Sequence, residues 1–206
     1  MDVTIIGSGK MARGIGTRIR RGAAVQILDR DPDKARTLAQ ELGAQAGQLG
    51  ETAIRGEVVV LAVPYPAVAE IADRYGEQLR GRVVVDITNP VDFTSFDRLV
   101  TPPGSSAAEE IEKQLPGARI VKAFNTIFAG TLVGGSVGGH PLDVFIASDD
   151  SGAAKTVAEL VEAGGLHPVE VGPLRRAREL EPMGFLHMAI QQSINGRFST
   201  ALKILA

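Results

Sequence analysis

The segment TIIGSGKMARG, residues 4–14, limits the folds open to this chain more than any other stretch. Apolar and β-branched residues run into two glycines one residue apart, and a helix-compatible sequence follows. Gly7-x-Gly9-x-x-Ala12 at a strand-to-helix junction reads as a phosphate-binding turn. The first glycine makes the turn, the second lets a pyrophosphate approach the backbone, and the small third residue lets the helix lie close on the sheet. The free N–H groups and the dipole at the helix start then attract the phosphates. A second apolar run ends at Asp29, twenty-two positions after Gly7. That is near the spacing of about 20 between such a turn and an acidic residue on the adenosine ribose. A nicotinamide or flavin dinucleotide is the ligand this pattern implies.

Apolar runs read as strands buried on both faces at 3–7, 24–29, 57–64, 82–90, 118–125, 142–148 and 167–172, all taken as parallel. Helical stretches lie between them at 10–21, 31–42, 66–79, 105–114, 151–163 and 174–195. Asp31-Pro32 supplies an N-cap followed by proline in the first turn. The alternation predicts an α/β fold with a doubly wound sheet and right-handed crossovers. Two stretches poor in regular signal, 92–105 and the glycine-rich 133–141, read as loops over a sheet edge or a ligand. In the last helical stretch Pro182 lacks a backbone donor and restricts Glu181, which predicts a break near 181–182.

Composition removes several alternatives. The formal net charge of −2 leaves no polyanion-binding footprint, and no nucleic-acid partner is expected. The absence of cysteine excludes a disulfide scaffold, a thiolate metal site and a cysteine nucleophile. No apolar run approaches the roughly 20 residues of a membrane span. Asp2 stands where a basic leader would begin, so a cytoplasmic protein away from membranes is the expectation.

The end of the second strand bears on cofactor choice. Asp29 suits the ribose hydroxyls of NAD and repels a 2′-phosphate, at roughly 4 kcal/mol per unit-charge pair at 4 Å in an intermediate dielectric. Arg30 and Lys34, beside it, suit the 2′-phosphate of NADP, or are solvated surface charges. NADP is expected, with NAD left open.

The segments GSGKMARGIGTRI, VVVDITNP, ARIVKAFNTIFAGTL and VEVGPLRRARELE together resemble the NADP-dependent oxidoreductases of the deazaflavin coenzyme F-420. The same segments resemble the cytosolic NADPH-binding domain of the six-transmembrane metalloreductases. The likeness runs in order along nearly the whole chain. It implies a Rossmann-type, mostly parallel sheet over residues 1–122, a smaller C-terminal α/β part over 123–206 for substrate and dimerisation, and NADP(H) as cofactor. It also implies a homodimer. By matched motif, Gly7, Ser8, Gly9, Lys10, Met11 and Ala12 line the pyrophosphate, and Asp29, Arg30 and Lys34 meet the adenosine end. Val63 and Pro64 close the third strand over the cofactor, Asn89 and Pro90 the fourth, and Ala123, Phe124 and Asn125 the fifth. The chain departs from the family at Asp29, where NADP-specific members carry a small or neutral polar residue. The Asn125 amide either holds the nicotinamide carboxamide or caps a helix over 126–133.

No Ser-His-Asp order, zinc helix or pair of carboxylates in a cleft is legible, so no catalytic residue and no metal are assigned. Hydride transfer between two bound redox cofactors needs position and dryness rather than a protein acid or base. The reading is an NAD(P)(H)-dependent oxidoreductase exchanging hydride with coenzyme F-420 or a flavin. A dehydrogenase or imine reductase would need an acid or base, for which His140, Lys122 and His187 are the candidates. A non-catalytic sensor of the nucleotides is the other alternative. His187 is expected to be a packed, hydrogen-bonded residue, and His167 a structural one. Met183, Phe185, Leu186, Met188, Ile190 and Ile194 cover most of a helix circumference, which predicts two-fold pairing or burial in the chain's own core.

Overall fold

The computed structural model describes residues 1–194 and 196–205. Its frame is an eight-stranded sheet of order β10-β9-β6-β5-β4-β1-β2-β3. β1 (Asp2–Ile6) pairs in parallel with β2 (Ala24–Asp29) on one side and β4 (Val58–Leu61) on the other. β5 (Val83–Asp86) and β6 (Arg119–Lys122) continue the parallel set. The chain therefore builds outward from β1, then returns to its other side. The carboxyl ends of β1 and β4 flank the point where strand order reverses, the place where open α/β sheets bind ligands.

Alternate residues of these short strands feed two cores. Val3, Ile5, Ile27, Val58, Val60, Val83, Val85 and Val121 pack with residues of α1 (Lys10–Ile19), α2 (Pro32–Leu42) and α6 (Ser151–Ala163). Ile6, Leu28, Val59, Leu61, Val84 and Ile120 pack with α3 (Val68–Leu79) and α4 (Ala107–Gln114). Both sheet faces are covered, which is why the strands are nearly unbroken runs of β-branched residues. α3 is entered through a 3₁₀ turn at Tyr65–Ala67. Asp31 caps α2 by accepting from Asp33 N and Lys34 N, with Pro32 at the first position, as the sequence indicates.

Three features differ from expectation. β3 (Gln45–Gln48) is an edge strand that the sequence does not announce, because its polar residues have no apolar period and its pairing with β2 is made by the backbone. β9 (Asp143–Ala147) and β10 (His167–Gly172) are parallel to each other but β9 meets β6 antiparallel, at Lys122 and Ala147. Burial on both faces gives β9 the same apolar composition as a parallel strand, so direction was not legible. The glycine-rich stretch holds the end of α5 (Ala129–Gly134) and a ribbon of β7 (Ser136–Val137) and β8 (His140–Pro141), turned by Gly138 and Gly139 at φ 60° and 83°.

The last helical stretch is a 3₁₀ turn at Leu174–Arg176, α7 (Ala177–Ala189) and α8 (Gln191–Ile194). The interruption falls at Ile190, and helical backbone passes through Pro182. Pro182 forfeits only the bond to the Arg178 carbonyl, and the contacts of Leu180, Glu181 and Gly184 described below hold that turn in place. The expected helix end at residue 195 lies outside the described residues, as does residue 206 of the expected C-terminal part. Among the described residues no helix is long and apolar enough to cross a membrane.

Candidate dinucleotide crevice

At the end of β1, Gly7 adopts φ 110°, and a Cβ there would stand 2.3 Å from the Ala62 carbonyl oxygen. Both the turn and the chain leaving β4 require glycine. Gly9 is the N-cap residue of α1, with no side-chain cap and no acidic residue in the first turn. A Cβ on Gly9 would meet nothing within 4 Å. The space above the first N–H groups of α1 is therefore open, and those groups are suited to an anion. Ala12 is fully buried and Met11 packs partly on the same core, while Lys10 is exposed. α1 lies so close to α5 that a Cβ on Gly14 would stand 2.8 Å from Leu132 Cβ.

Ser8 Oγ donates to Asp29 Oδ2 at 2.7 Å, and Asp31 N donates to Asp29 Oδ1 at 2.9 Å. Asp29 is half-buried, and a carboxylate with two such bonds retains lone pairs for a ligand. Arg30 and Lys34 are both 72% exposed, Arg30 3.7 Å from Glu70 and Lys34 3.3 Å from Asp31. Exposed pairs of this kind hold a side chain weakly, by about 0–1 kcal/mol.

The other end of the crevice is built from β4, β5 and β6. Val63 is half-buried and Pro64 is exposed at the start of the 3₁₀ turn. Asn89 Nδ2 donates to the Asn125 carbonyl at 2.7 Å, and Asn125 Nδ2 donates to Asn89 Oδ1 at 2.9 Å and to the Leu180 carbonyl at 2.8 Å. Pro90, Ala123 and Phe124 are buried, so they shape the floor from below. Phe124 has φ 62°, a left-handed conformation that costs a non-glycine residue roughly 1–3 kcal/mol. It turns the chain between the buried end of β6 and Asn125. Asn125 does not cap α5, which begins only at Ala129 with Phe128 as its N-cap residue.

Asn125 Oδ1 is buried and has no hydrogen-bond partner among the described residues. An unmet buried acceptor costs about 1–3 kcal/mol. A carboxamide NH₂ has the chemistry to satisfy it, and an open helix start lies at the other end of the crevice. The residues present fit a nicotinamide dinucleotide.

A buried ionic cluster lies under this end, and the sequence reading did not assemble it. Lys122, Asp86 and Glu181 are 0%, 0% and 1% exposed. Lys122 Nζ donates to Asp86 Oδ2 at 2.7 Å, to the Thr88 carbonyl at 2.6 Å and to Glu181 Oε1 at 2.8 Å. Those three bonds use every ammonium proton. Asp86 Oδ1 accepts from Thr88 N at 2.8 Å. Glu181 also accepts from Ala107 N at 2.9 Å and Ala108 N at 3.2 Å, at the start of α4. Burial pushes the Glu181 carboxyl above its ordinary value and Asp86 adds to the rise, against the pull of Lys122 and Ala107 N. The available sequence signal was a charged residue at the buried end of each of two strands, VVVD and RIVK. Tyr65, also missed, stands half-buried on the same side. Its phenol is pushed up by burial and by Glu110, Glu181 and Asp86, so it stays protonated at neutral pH.

The remaining acid–base candidates separate. Lys122 is saturated and enclosed. His187 is buried, with Nδ1 3.1 Å from the Thr126 carbonyl, Nε2 2.8 Å from Thr200 Oγ1, and its ring 4.3 Å from that of Phe128. Burial lowers its pKa and the Thr126 carbonyl opposes that, which matches the expected packed histidine. His167 opens β10 with Nδ1 2.8 Å from Asp143 Oδ1, and His140 is exposed in β8. Among the described residues no group of three or more His, Asp or Glu is placed to hold a metal.

Residues 2–90 match the family model for coenzyme F420-dependent NADP oxidoreductases. Metalloreductase STEAP3 of Rattus norvegicus is 36% identical over 183 residues, covering 87% of this chain and 35% of that protein. The chain thus spans about a third of the metalloreductase's length. The F420-dependent NADP reductase of Methanothermobacter thermautotrophicus is 32% identical over 201 residues, covering 88% of this chain and 85% of the reductase. The crystal structure of a protein from Arthrobacter sp. assigned as an F420-dependent NADP reductase superposes with a TM-score of 0.87 at 26% identity, covering 100% of both chains. At 32% identity over 85% of the reductase's length, and with residues 2–90 matching the family model, this chain belongs to the family of coenzyme F420-dependent NADP oxidoreductases.

Proposed function

We propose that the chain binds NADP(H) along the crevice and exchanges hydride between its nicotinamide and a deazaflavin of the coenzyme F420 type, or a flavin. The observation that carries this reading is the open helix start at Gly9, supported by the separate acceptor left unmet at Asn125. The nicotinamide ring gives or receives the hydride; the chain supplies position. The N–H groups of Lys10, Met11 and Ala12 meet the pyrophosphate, with Gly7, Ser8 and Gly9 forming the turn beneath it. Asp29 accepts from the ribose, while Arg30 and Lys34 swing from their surface partners to the 2′-phosphate. Asn125 Oδ1 accepts from the carboxamide, and Asn89 fixes the orientation of Asn125. Val63 and Pro64 form the flank, and Pro90, Ala123 and Phe124 the floor. Residues 123–206 frame the second substrate.

Relatives named as F420-dependent NADP reductases support the choice of partner chemistry. Purified protein titrated with NADP⁺, NADPH, NAD⁺ and NADH, then given reduced deazaflavin, flavin mononucleotide and simple carbonyls, tests it. Nicotinamide-linked turnover of the deazaflavin or flavin is expected. Turnover of carbonyls alone would identify a small-metabolite dehydrogenase, and binding without turnover a sensor.

The same reading includes a homodimer. Leu186, Ile190 and Ile194, four residues apart, are exposed along α7 and α8, and two-fold pairing of α7 would bury them. Phe185 packs on Phe96 of its own chain, ring centroids 5.5 Å apart. The exposed residues therefore make the test: light scattering should show a dimer that Leu186→Glu with Ile190→Glu disperses into folded monomer. A wild-type monomer across micromolar concentrations would refute it.

A further inference from the structure

The ammonium of Lys122, at the end of β6, joins two other pieces of chain by three bonds. One bond goes to the end of β5, one to the Thr88 carbonyl immediately before Asn89, and one to Glu181 on α7. The residues beside Glu181 extend the same contact. The Leu180 carbonyl accepts from Asn125 Nδ2. One turn on, a Cβ at Gly184 would stand 2.8 Å from Asn89 Oδ1 and 2.9 Å from the Asn125 carbonyl. α7 therefore rests on the Asn89–Asn125 pair with no side chain between them. Hydride transfer gives this buried cluster no proton to move. As a device for stability alone it is a poor solution, since well-packed apolar residues often equal or exceed a buried ion pair. What the arrangement provides is fixed geometry.

We propose that Glu181 is a positioning residue for the nicotinamide end of the crevice, locking α7 to the loops that carry Asn89 and Asn125 through Lys122. The proposal rests on the reading of Asn125 as the carboxamide acceptor. It separates the two halves of the ligand: Glu181 governs the nicotinamide half and leaves the adenosine half alone.

Calorimetry with NADP⁺ and with 2′,5′-ADP, which carries only the adenosine half, tests this. In Glu181→Ala, affinity for NADP⁺ should fall about tenfold while that for 2′,5′-ADP stays within about twofold, in keeping with the sensitivity of bound geometry to small displacements. The change in NADPH nicotinamide fluorescence on binding should be lost as well. Glu181→Gln, whose Oε1 still accepts from Lys122, should recover most of both. Equal losses for the two ligands, or no loss for either in folded Glu181→Ala, would overturn the proposal. Should Glu181→Ala not fold, Glu181→Met, which fills the same space but accepts nothing from Lys122, takes its place and must show the same split. Failure of wild-type protein to bind either ligand would refute the dinucleotide reading itself, whereas a missing split in the variants overturns the role of Glu181 alone.

Discussion

Asp29 and Glu181 are both carboxylates at the carboxyl rim of the sheet, and their surroundings are opposite. Asp29 is half-buried and takes its two bonds from a hydroxyl 21 residues away and an N–H two residues away. Glu181 is enclosed and takes its bonds from residues 59, 73 and 74 positions away in the chain. The half-buried carboxylate keeps lone pairs free, at little cost in desolvation. The buried one has its oxygens committed to holding three elements together, and it can do so only because a cation and a helix start are placed against it. One end of the candidate crevice thus rests on local structure, and the other is assembled from distant parts.

The largest effect should come from breaking the floor. Lys122→Met leaves two carboxylates facing each other in a dry site and should cost about 3–5 kcal/mol in urea unfolding, as for other broken buried pairs. Asp29→Ala, at the solvated end, should stay within about 1 kcal/mol of wild type. Equal stability losses in the two variants would erase the contrast.

Next is the binding surface itself. Gly9→Val should weaken either dinucleotide by about 100-fold or more, roughly 3 kcal/mol, with an unchanged melting temperature because the added side chain enters open space. Unaltered affinity in calorimetry would remove the pyrophosphate from this turn.

Arg30→Ala should weaken NADP(H) by about 1–3 kcal/mol, and NAD(H) by less, as for a charge-assisted hydrogen bond. Asp29→Ser should move preference toward NADP(H). Equal weakening of both nucleotides by Arg30→Ala would mean that the guanidinium does not meet the 2′-phosphate.

The smallest effect lies away from the crevice. Asp143 is buried and holds the C-terminal segment by accepting from Ile204 N at 2.7 Å and from Lys203 Nζ, and it also meets His167. Burial alone would raise its carboxyl, but Ile204 N, Lys203 and His167 together bring it below the ordinary value. A depressed carboxylate stabilises the fold above its unfolded pKa of about 4 and loses that contribution as pH falls through the lower folded value. The protection factor of Ile204 N should therefore fall below about pH 4, while protection in β1 and β2 persists. Unchanged protection of Ile204 through that range would show that Asp143 does not hold the segment.

Legibility followed the same divide. The turn at Gly7 and Gly9, the cap at Asp31 and most helices and strands could be read directly, because each depends on neighbours a few residues away. β3 could not, since backbone pairing to β2 leaves no mark on a polar edge. The Pro182 break was expected from local rules alone, and the docking of Leu180, Glu181 and Gly184 on the Asn89–Asn125 pair overrides them. For Asn125 the sequence left a helix cap open, and that alternative was decided only by where α5 begins.

The sequence by itself determined the class of fold, the glycine turn at the start of α1 and the family, because periodicity, glycine spacing and capping act through local geometry. Only the tertiary structure decided that β9 and β10 run against the rest of the sheet, that Lys122 is a saturated structural cation rather than an acid or base, and that Glu181 sits beneath the crevice. Those outcomes depend on which distant segments share a dry interior. There a charge must find its counter-charge and its hydrogen bonds, a requirement that no short stretch of residues displays.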